Sequence, residues 1–132
     1  HRMKNPARPD HLVLMLTSLE ARAPYYQALM PLLGFLPLQE NYWRSPHGFI
    51  IQLHEAKAGT RPYERYGAGM NHLGFSVASP DVVHAVRRAM AERGFDVPDI
   101  QNPDGVTALF MKDPDGIRFE ISHFPPGIDV NN

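Results

Sequence analysis

Asp10-His11-Leu12, followed downstream by Gly34-Phe35, recurs as Asn71-His72-Leu73 followed by Gly94-Phe95. The glycine lies 23 residues after the first histidine and 22 after the second, so both anchors repeat in step. A third pair extends the match: Pro46-His47-Gly48 leads to Gln52, and Pro114-Asp115-Gly116 leads to Glu120, each polar residue four positions past its glycine. Two copies of one supersecondary unit normally pack about a pseudo-twofold axis, which makes equivalent side chains converge. The side chains brought to equivalent places here are His11, Gln52, His72 and Glu120, all able to ligate a metal.

The segments between these anchors read as two βαβββ modules, about 9–55 and 70–123, with a linker at 56–69 and a tail at 124–132. His11 to Leu16 is a nearly continuous apolar run bounded by turn residues, as expected of a strand covered on both faces. Thr17-x-x-Glu20 has the spacing of a capping box, with Tyr26, Leu29, Met30 and Leu33 following at helical intervals, so a helix is expected over 20–33. Pro24 falls where a first turn would tolerate it, and Pro31 should kink or end the helix before Gly34. Strands are expected at 35–39, 42–44 and 49–55. The linker carries Gly59, Pro62, Gly67 and Gly69 with little apolar periodicity, and it could act as a flap. In the second module 70–78 is the matching strand. Ser79-Pro80-Asp81 opens a helix with the stripe Val82, Val83, Val86, Ala89 and Met90, and strands follow at 95–100, 106–112 and 117–123.

Composition bounds the function. The 132 residues suit one compact α+β domain built from the two modules. Apolar residues make up 43% of the chain and Gly plus Pro account for 23 of 132 residues, below the roughly 25–30% that marks low complexity. A formal charge of −1 and a pI near 6.7 supply no basic field for nucleic acid or anionic membrane. With no cysteine, thiolate metal sites, disulfides and cysteine nucleophiles are excluded, and any metal must be held by N and O donors. Leu12–Leu16 is far too short for a spanning helix or a signal-peptide core, so a cytoplasmic protein is expected. His1 and Arg2 precede Met3 and read as an appendage, and His1 is set aside from any site.

Strand alternation groups His11 with Val13 and Met15, His72 with Gly74 and Ser76, Gln52 with Ile50 and His54, and Glu120 with Arg118 and Ser122. A polar residue in an otherwise apolar strand must be hydrogen-bonded or ligate something, because burying it unpaired costs roughly 1–3 kcal/mol. A lone histidine in that position is most simply a hydrogen-bonded core residue. Two unrelated core histidines, however, have no reason to occupy equivalent places together with an equivalent Gln/Glu pair. Two imidazoles, a carboxylate and an amide oxygen suit a borderline divalent ion: Zn²⁺, Ni²⁺, Co²⁺, Mn²⁺ or Fe²⁺. Gln52 is the weaker donor, and His54 shares its face.

Asp10-His11-Leu12, Tyr25-Tyr26 with Leu33-Gly34-Phe35, Gly69-Met70-Asn71-His72-Leu73-Gly74-Phe75, and Asp113-Pro114-Asp115-Gly116 leading to Phe119-Glu120-Ile121 together resemble the vicinal oxygen chelate superfamily. The resemblance covers residues 10–123. It implies a curved, partly closed mixed sheet around a metal cleft with helices outside, and it places the metal ligands on His11, His72 and Glu120, with Gln52 in the fourth position. It also implies a small-molecule substrate presenting vicinal oxygens. Such proteins set their two modules side by side within one chain or exchange them between chains, so a homodimer is expected. A His/Gln/His/Glu set is similar to that of methylmalonyl-CoA epimerases and eukaryotic-type glyoxalase I.

The activity implied is that of a metal-dependent lyase or isomerase abstracting a proton next to a carbonyl, with Glu120 as base and Glu40 as a weaker candidate for an opposing base. His54, Tyr42, Arg44 and Tyr66 are candidate substrate contacts. Three other activities compete: an Fe(II)-dependent extradiol-type dioxygenase, in which His54 and a tyrosine would serve as acid and base; a fosfomycin-type thiol transferase; and a metal-free protein that sequesters its ligand.

Overall fold

The computed structural model describes residues 4–128; His1 lies outside them. The chain divides between Lys57 and Ala58 into two compact units, each pairing one helix with one small sheet in a mixed α+β arrangement.

The first unit holds β1 (His11–Leu16), α1 (Leu19–Leu32), β2 (Leu36–Gln39), β3 (Tyr42–Arg44) and β4 (Ile50–Glu55). Its sheet has the order β1-β4-β3-β2, with β1 parallel to β4 and the remaining pairs antiparallel. Within this unit β1 is therefore an edge strand, and it alternates instead of being covered on both faces. Leu14 and Leu16 are buried, whereas Val13 and Met15 are 41% and 48% exposed. The unbroken apolar run that suggested a two-sided strand comes from two faces with different roles. Leu14, Leu16, Trp43, Ile51 and Leu53 are buried on one; His11, Ile50, Gln52, His54, Tyr42 and Arg44 share the other, which is open.

Helix α1 runs over Leu19–Leu32, one residue ahead of the expected 20–33, and its cap is not Thr17. Ser18 is the cap: its backbone is extended and its Oγ accepts from the Ala21 amide at 3.2 Å, while Glu55 Oε1 accepts from the Leu19 amide at 3.0 Å. Pro24 consequently sits in the second turn, and Pro31 lies inside the helix, which runs on to Leu32. Each interior proline costs on the order of 3 kcal/mol. Full burial of Tyr26, Leu29 and Met30 contributes about 1.5–3 kcal/mol per side chain, enough to hold the helix together. Gly34 adopts φ 85° and the Phe35 amide donates back to the Met30 carbonyl at 3.0 Å, a left-handed stop that glycine adopts without strain. The second unit repeats the device with Gly94 at φ 87° and Phe95 N–H to Met90 O at 3.2 Å.

The second unit holds β5 (Leu73–Ser76), α2 (Pro80–Glu92), a short 3₁₀ turn (Pro103–Gly105), β6 (Thr107–Lys112) and β7 (Arg118–His123), in the sheet order β5-β7-β6. Helix α2 starts at the expected Ser79-Pro80 signal and buries Val83, Val86 and Met90. Two expectations fail. The strand expected over 70–78 shortens to four residues, leaving His72 just before it. The strand expected over 95–100 does not form; only Gln101 bridges to Ala108. Pro98 has no amide to donate to a ladder, and the segment is instead tied to α2, where Arg87 Nε donates to the Pro98 carbonyl at 2.8 Å and Arg87 Nη2 pairs with Asp99 at 3.2 Å. Arg87 thus tethers this segment to α2. Pro37 in the first unit is tolerated because β2 is an outer strand, with a register shift between Pro37 and Gln39.

The last turn is held from inside. Asp113, 2% exposed, accepts from the amides of Asp115 and Ile117 through Oδ1, both at 2.8 Å. This brings β7 back beside β6 and sets the register in which Glu120 stands opposite Phe110. Among the described residues no helix is long and apolar enough to cross a membrane.

Candidate functional site

The two histidines of the repeat carry the same local device. His11 Nδ1–H donates to Asp10 Oδ2 at 2.7 Å, and His72 Nδ1–H donates to Asn71 Oδ1 at 2.6 Å. The carboxylate can only accept from an imidazole N–H, which assigns the proton of His11 to Nδ1. At Asn71 the amide orientation follows from its other bond, since Nδ2 donates to the Arg65 carbonyl at 3.1 Å and leaves Oδ1 toward the ring. In the neutral form each imidazole therefore presents an Nε2 lone pair. A carboxylate or carbonyl oxygen fixing the Nδ1–H is the usual outer-sphere support of a metal-binding imidazole.

In the second unit that lone pair has a counterpart: His72 Nε2 lies 3.6 Å from Glu120 Oε1. At this distance the two groups are not hydrogen-bonded. A lone pair and a carboxylate facing each other call for a proton or a cation between them. An imidazole nitrogen and a carboxylate oxygen at this spacing are donor types that would suit a divalent ion. The other carboxylate oxygen, Oε2, accepts from Ser122 Oγ at 2.8 Å. Glu120 is flanked by Gly74 on β5 and Phe110 on β6. A Cβ built on Gly74 would meet nothing within 4 Å, leaving room beside the carboxylate.

The segment before His72 is braced by a linker side chain. Tyr63 O–H donates to the carbonyls of Met70 and Asn71 at 2.9 and 2.6 Å. Tyr66 is 79% exposed with the Arg65 guanidinium 4.9 Å above its ring.

In the first unit Gln52 stands between Val13 and Tyr42 in register. Tyr42 O–H and His54 Nε2 are hydrogen-bonded at 3.0 Å with their rings edge to face. Arg44 is exposed on the same face. Glu40 lies in the turn between β2 and β3, lining a hollow with Leu19, Glu20, Ala23 and Pro24 of α1. That is the helix-covered side of the sheet, away from the face that carries His11, Gln52 and His54.

Among the described residues no group of three or more His, Cys, Asp and Glu side chains stands close enough to hold one ion. The pair the structure does bring together is His72 and Glu120. Asp10, Asn71 and Ser122 were missed as supporting residues, although a signal for the first two stood in the repeat itself: an Asp or Asn precedes the histidine both times.

A family model for the Glyoxalase/Bleomycin resistance protein/Dioxygenase superfamily matches residues 8–121. The chain is 29% identical over 85 residues to MhqA of Bacillus subtilis (strain 168), named as a candidate ring-cleaving dioxygenase; that match spans 64% of this chain and 27% of MhqA. YqjT of the same strain, an uncharacterized protein, is 25% identical over 121 residues, 84% of this chain and 94% of its own length. Among solved structures, a glyoxylase/bleomycin resistance protein/dioxygenase domain from Frankia sp. EAN1pec superposes with a TM-score of 0.76 at 20% identity, covering 92% of this chain and all of that one. A glyoxalase/bleomycin resistance protein from Albidiferax ferrireducens T118 superposes with a TM-score of 0.69 at 23% identity, covering 88% of this chain and 98% of that one. These structural likenesses show the fold, and the family model, spanning most of the sequence, shows the membership: the chain belongs to the Glyoxalase/Bleomycin resistance protein/Dioxygenase superfamily.

Proposed function

We propose that this protein is a metal-dependent enzyme of the glyoxalase type, a lyase or isomerase that removes a proton from a carbon next to a carbonyl in a small substrate with vicinal oxygens. The observation that carries this reading is the His72 Nε2 lone pair facing Glu120 Oε1 at 3.6 Å, with the histidine proton held on the opposite nitrogen by Asn71. His72 and Glu120 would hold the ion from the second module. The equivalent places in the first module are His11, supported by Asp10 as His72 is by Asn71, and Gln52. The ligand set drawn from both modules, the cleft it would line and the homodimer belong to this proposal.

When bound, a divalent ion supplies Lewis-acid polarisation of the substrate oxygens, which lowers the cost of charge developing beside the carbonyl. Glu120 then takes and returns the proton. Its carboxylate is partly exposed, Gly74 leaves space on one side, and Ser122 holds Oε2, so Oε1, the oxygen that would share the ion with His72, is the one that would have to loosen from it to reach a substrate carbon. Asn71 keeps the His72 ring from turning with it, and Tyr63 braces the backbone just before the ring.

A ring-opening dioxygenase is the second reading. It is favoured by the likeness to MhqA and by the Tyr42–His54 hydrogen bond, a ready proton relay, and two histidines with one carboxylate suit Fe(II). Elemental analysis of wild-type protein beside His11→Ala, His72→Ala and Glu120→Gln tests metal binding first. Near-stoichiometric metal in the wild type and its loss in the variants is expected; equal content throughout refutes it. Solvent deuterium incorporation into 2-oxo thioesters and hemithioacetals then tests proton abstraction. Oxygen uptake on catechols with Fe(II), in the absence of such exchange, establishes the dioxygenase instead.

A further inference from the structure

At the end of the first unit's open sheet face, Arg8, Pro9, Asp10, Arg44, Pro46, His47 and Gly48 enclose a hollow of about 430 Å³ with predominantly polar walls. Three chain segments converge there. The approach to β1 brings Arg8, the end of β3 brings Arg44, and the turn between β3 and β4 brings His47. That turn is fixed by Ser45, whose carbonyl accepts from Gly48 at 2.9 Å and whose Oγ accepts from Phe49 at 3.1 Å. Gly48 has φ 94°, and a Cβ there would lie 3.8 Å from Arg44 Nη2, so the guanidinium stands against the turn.

The charge in this hollow is unbalanced. Among the described residues neither Arg8 nor Arg44 has an ion-pair partner. Asp10 is the acid in the wall, and its Oδ2 already accepts from His11. Two guanidiniums beside an imidazole suit a planar or tetrahedral oxyanion, which arginine binds through paired N–H donors. The position matters as well. Arg44, Ile50 and His11 form one cross-strand row, so two strand spacings, roughly 10 Å, separate Arg44 from His11. Asp10 belongs to both places, lining the hollow and supporting His11.

We infer that this hollow is an anion subsite that anchors a carboxylate or phosphate group of the substrate at the end of the sheet row that leads to His11. Assigning the anion to the substrate rests on the enzymatic reading above; the binding of the anion does not. The test is therefore made on metal-stripped full-length protein, followed by amide and histidine NMR at about 20 mM ionic strength, where screening is weak. Inorganic phosphate and malonate are titrated separately to tell a phosphate-type subsite from a carboxylate-type one. Saturable binding of at least one is expected, with His47 among the shifted resonances. Arg8→Ala and Arg44→Ala should each weaken it about 10-fold, Arg44→Lys about 3-fold, and Asp10→Asn should strengthen it. Both arginines are exposed, so unchanged spectra elsewhere verify that the variants fold. No saturable binding of either anion by the wild type, or equal binding by Arg8→Ala and Arg44→Ala, overturns the subsite. Loss of metal in His72→Ala with anion binding intact separates its fate from that of the metal site.

Discussion

Replacing Asn71 by alanine isolates the contribution of the supporting shell. The side chain makes two bonds, accepting from His72 Nδ1–H at 2.6 Å and donating to the Arg65 carbonyl at 3.1 Å, and it ligates nothing itself. Alanine leaves the His72 ring free to turn and to carry its proton on either nitrogen. Loss of an outer-sphere partner of this kind usually costs 10–100-fold in metal affinity. Because the bond lies at the surface, where water can replace Asn71, the low end applies: about 10-fold, or ~1.4 kcal/mol. His72→Ala, which deletes a donor, should lose far more. Asn71→Asp reproduces the Asp10–His11 pairing and holds Nδ1–H with a full charge, but it sets a carboxylate against the Arg65 carbonyl in place of a donor. It should therefore recover part of the affinity. Competition titration against a chromophoric chelator measures all three. Wild-type affinity in Asn71→Ala, alongside a large loss in His72→Ala, would refute the claim that the Asn71 contact orients a ligand.

Three further outcomes are expected. Asp113→Ala deprives the Asp115 and Ile117 amides of a buried carboxylate, so urea denaturation should show a loss of about 3 kcal/mol, with Asp113→Asn recovering most of it by keeping an acceptor oxygen; a loss below about 1 kcal/mol would contradict the geometry. Gly94→Ala forces a Cβ into a φ of 87° with nothing in the way, so the cost should be pure backbone strain of about 1 kcal/mol in the same assay, and it should be matched at Gly34. Gly74→Val fills the space beside Glu120; it should leave metal content near wild type while reducing turnover of any substrate by at least about 10-fold, and unchanged turnover would show that substrate does not enter from that side.

The modular duplication was legible because its anchors are backbone requirements. A left-handed residue must end each helix, and only glycine adopts that conformation without penalty, so Gly34-Phe35 and Gly94-Phe95 mark the same stop in both units. Helix α2 was legible for a similar reason, its signal lying in local chemistry at Ser79-Pro80. The cap of helix α1 was assigned to Thr17 because Thr17 and Ser18 are both competent caps, and Ser18 takes the role beside the contact that Glu55 makes from a strand 36 positions away. Residues 95–100 look like a strand by composition, yet Pro98 denies them a donor and Arg87 offers their carbonyls another partner.

Sequence alone determined which residue types recur and where, and hence the family and the identity of the candidate ligands, because a repeat is a property of order along the chain. Only the tertiary structure decided that Val13 and Met15 lie on an open face, that His72 and Glu120 stand 3.6 Å apart, and that Arg8, Arg44 and His47 share one hollow. Those facts depend on strand register and on turns that bring distant segments together, and a one-residue slip in pairing, invisible in composition, would turn each side chain to the other face.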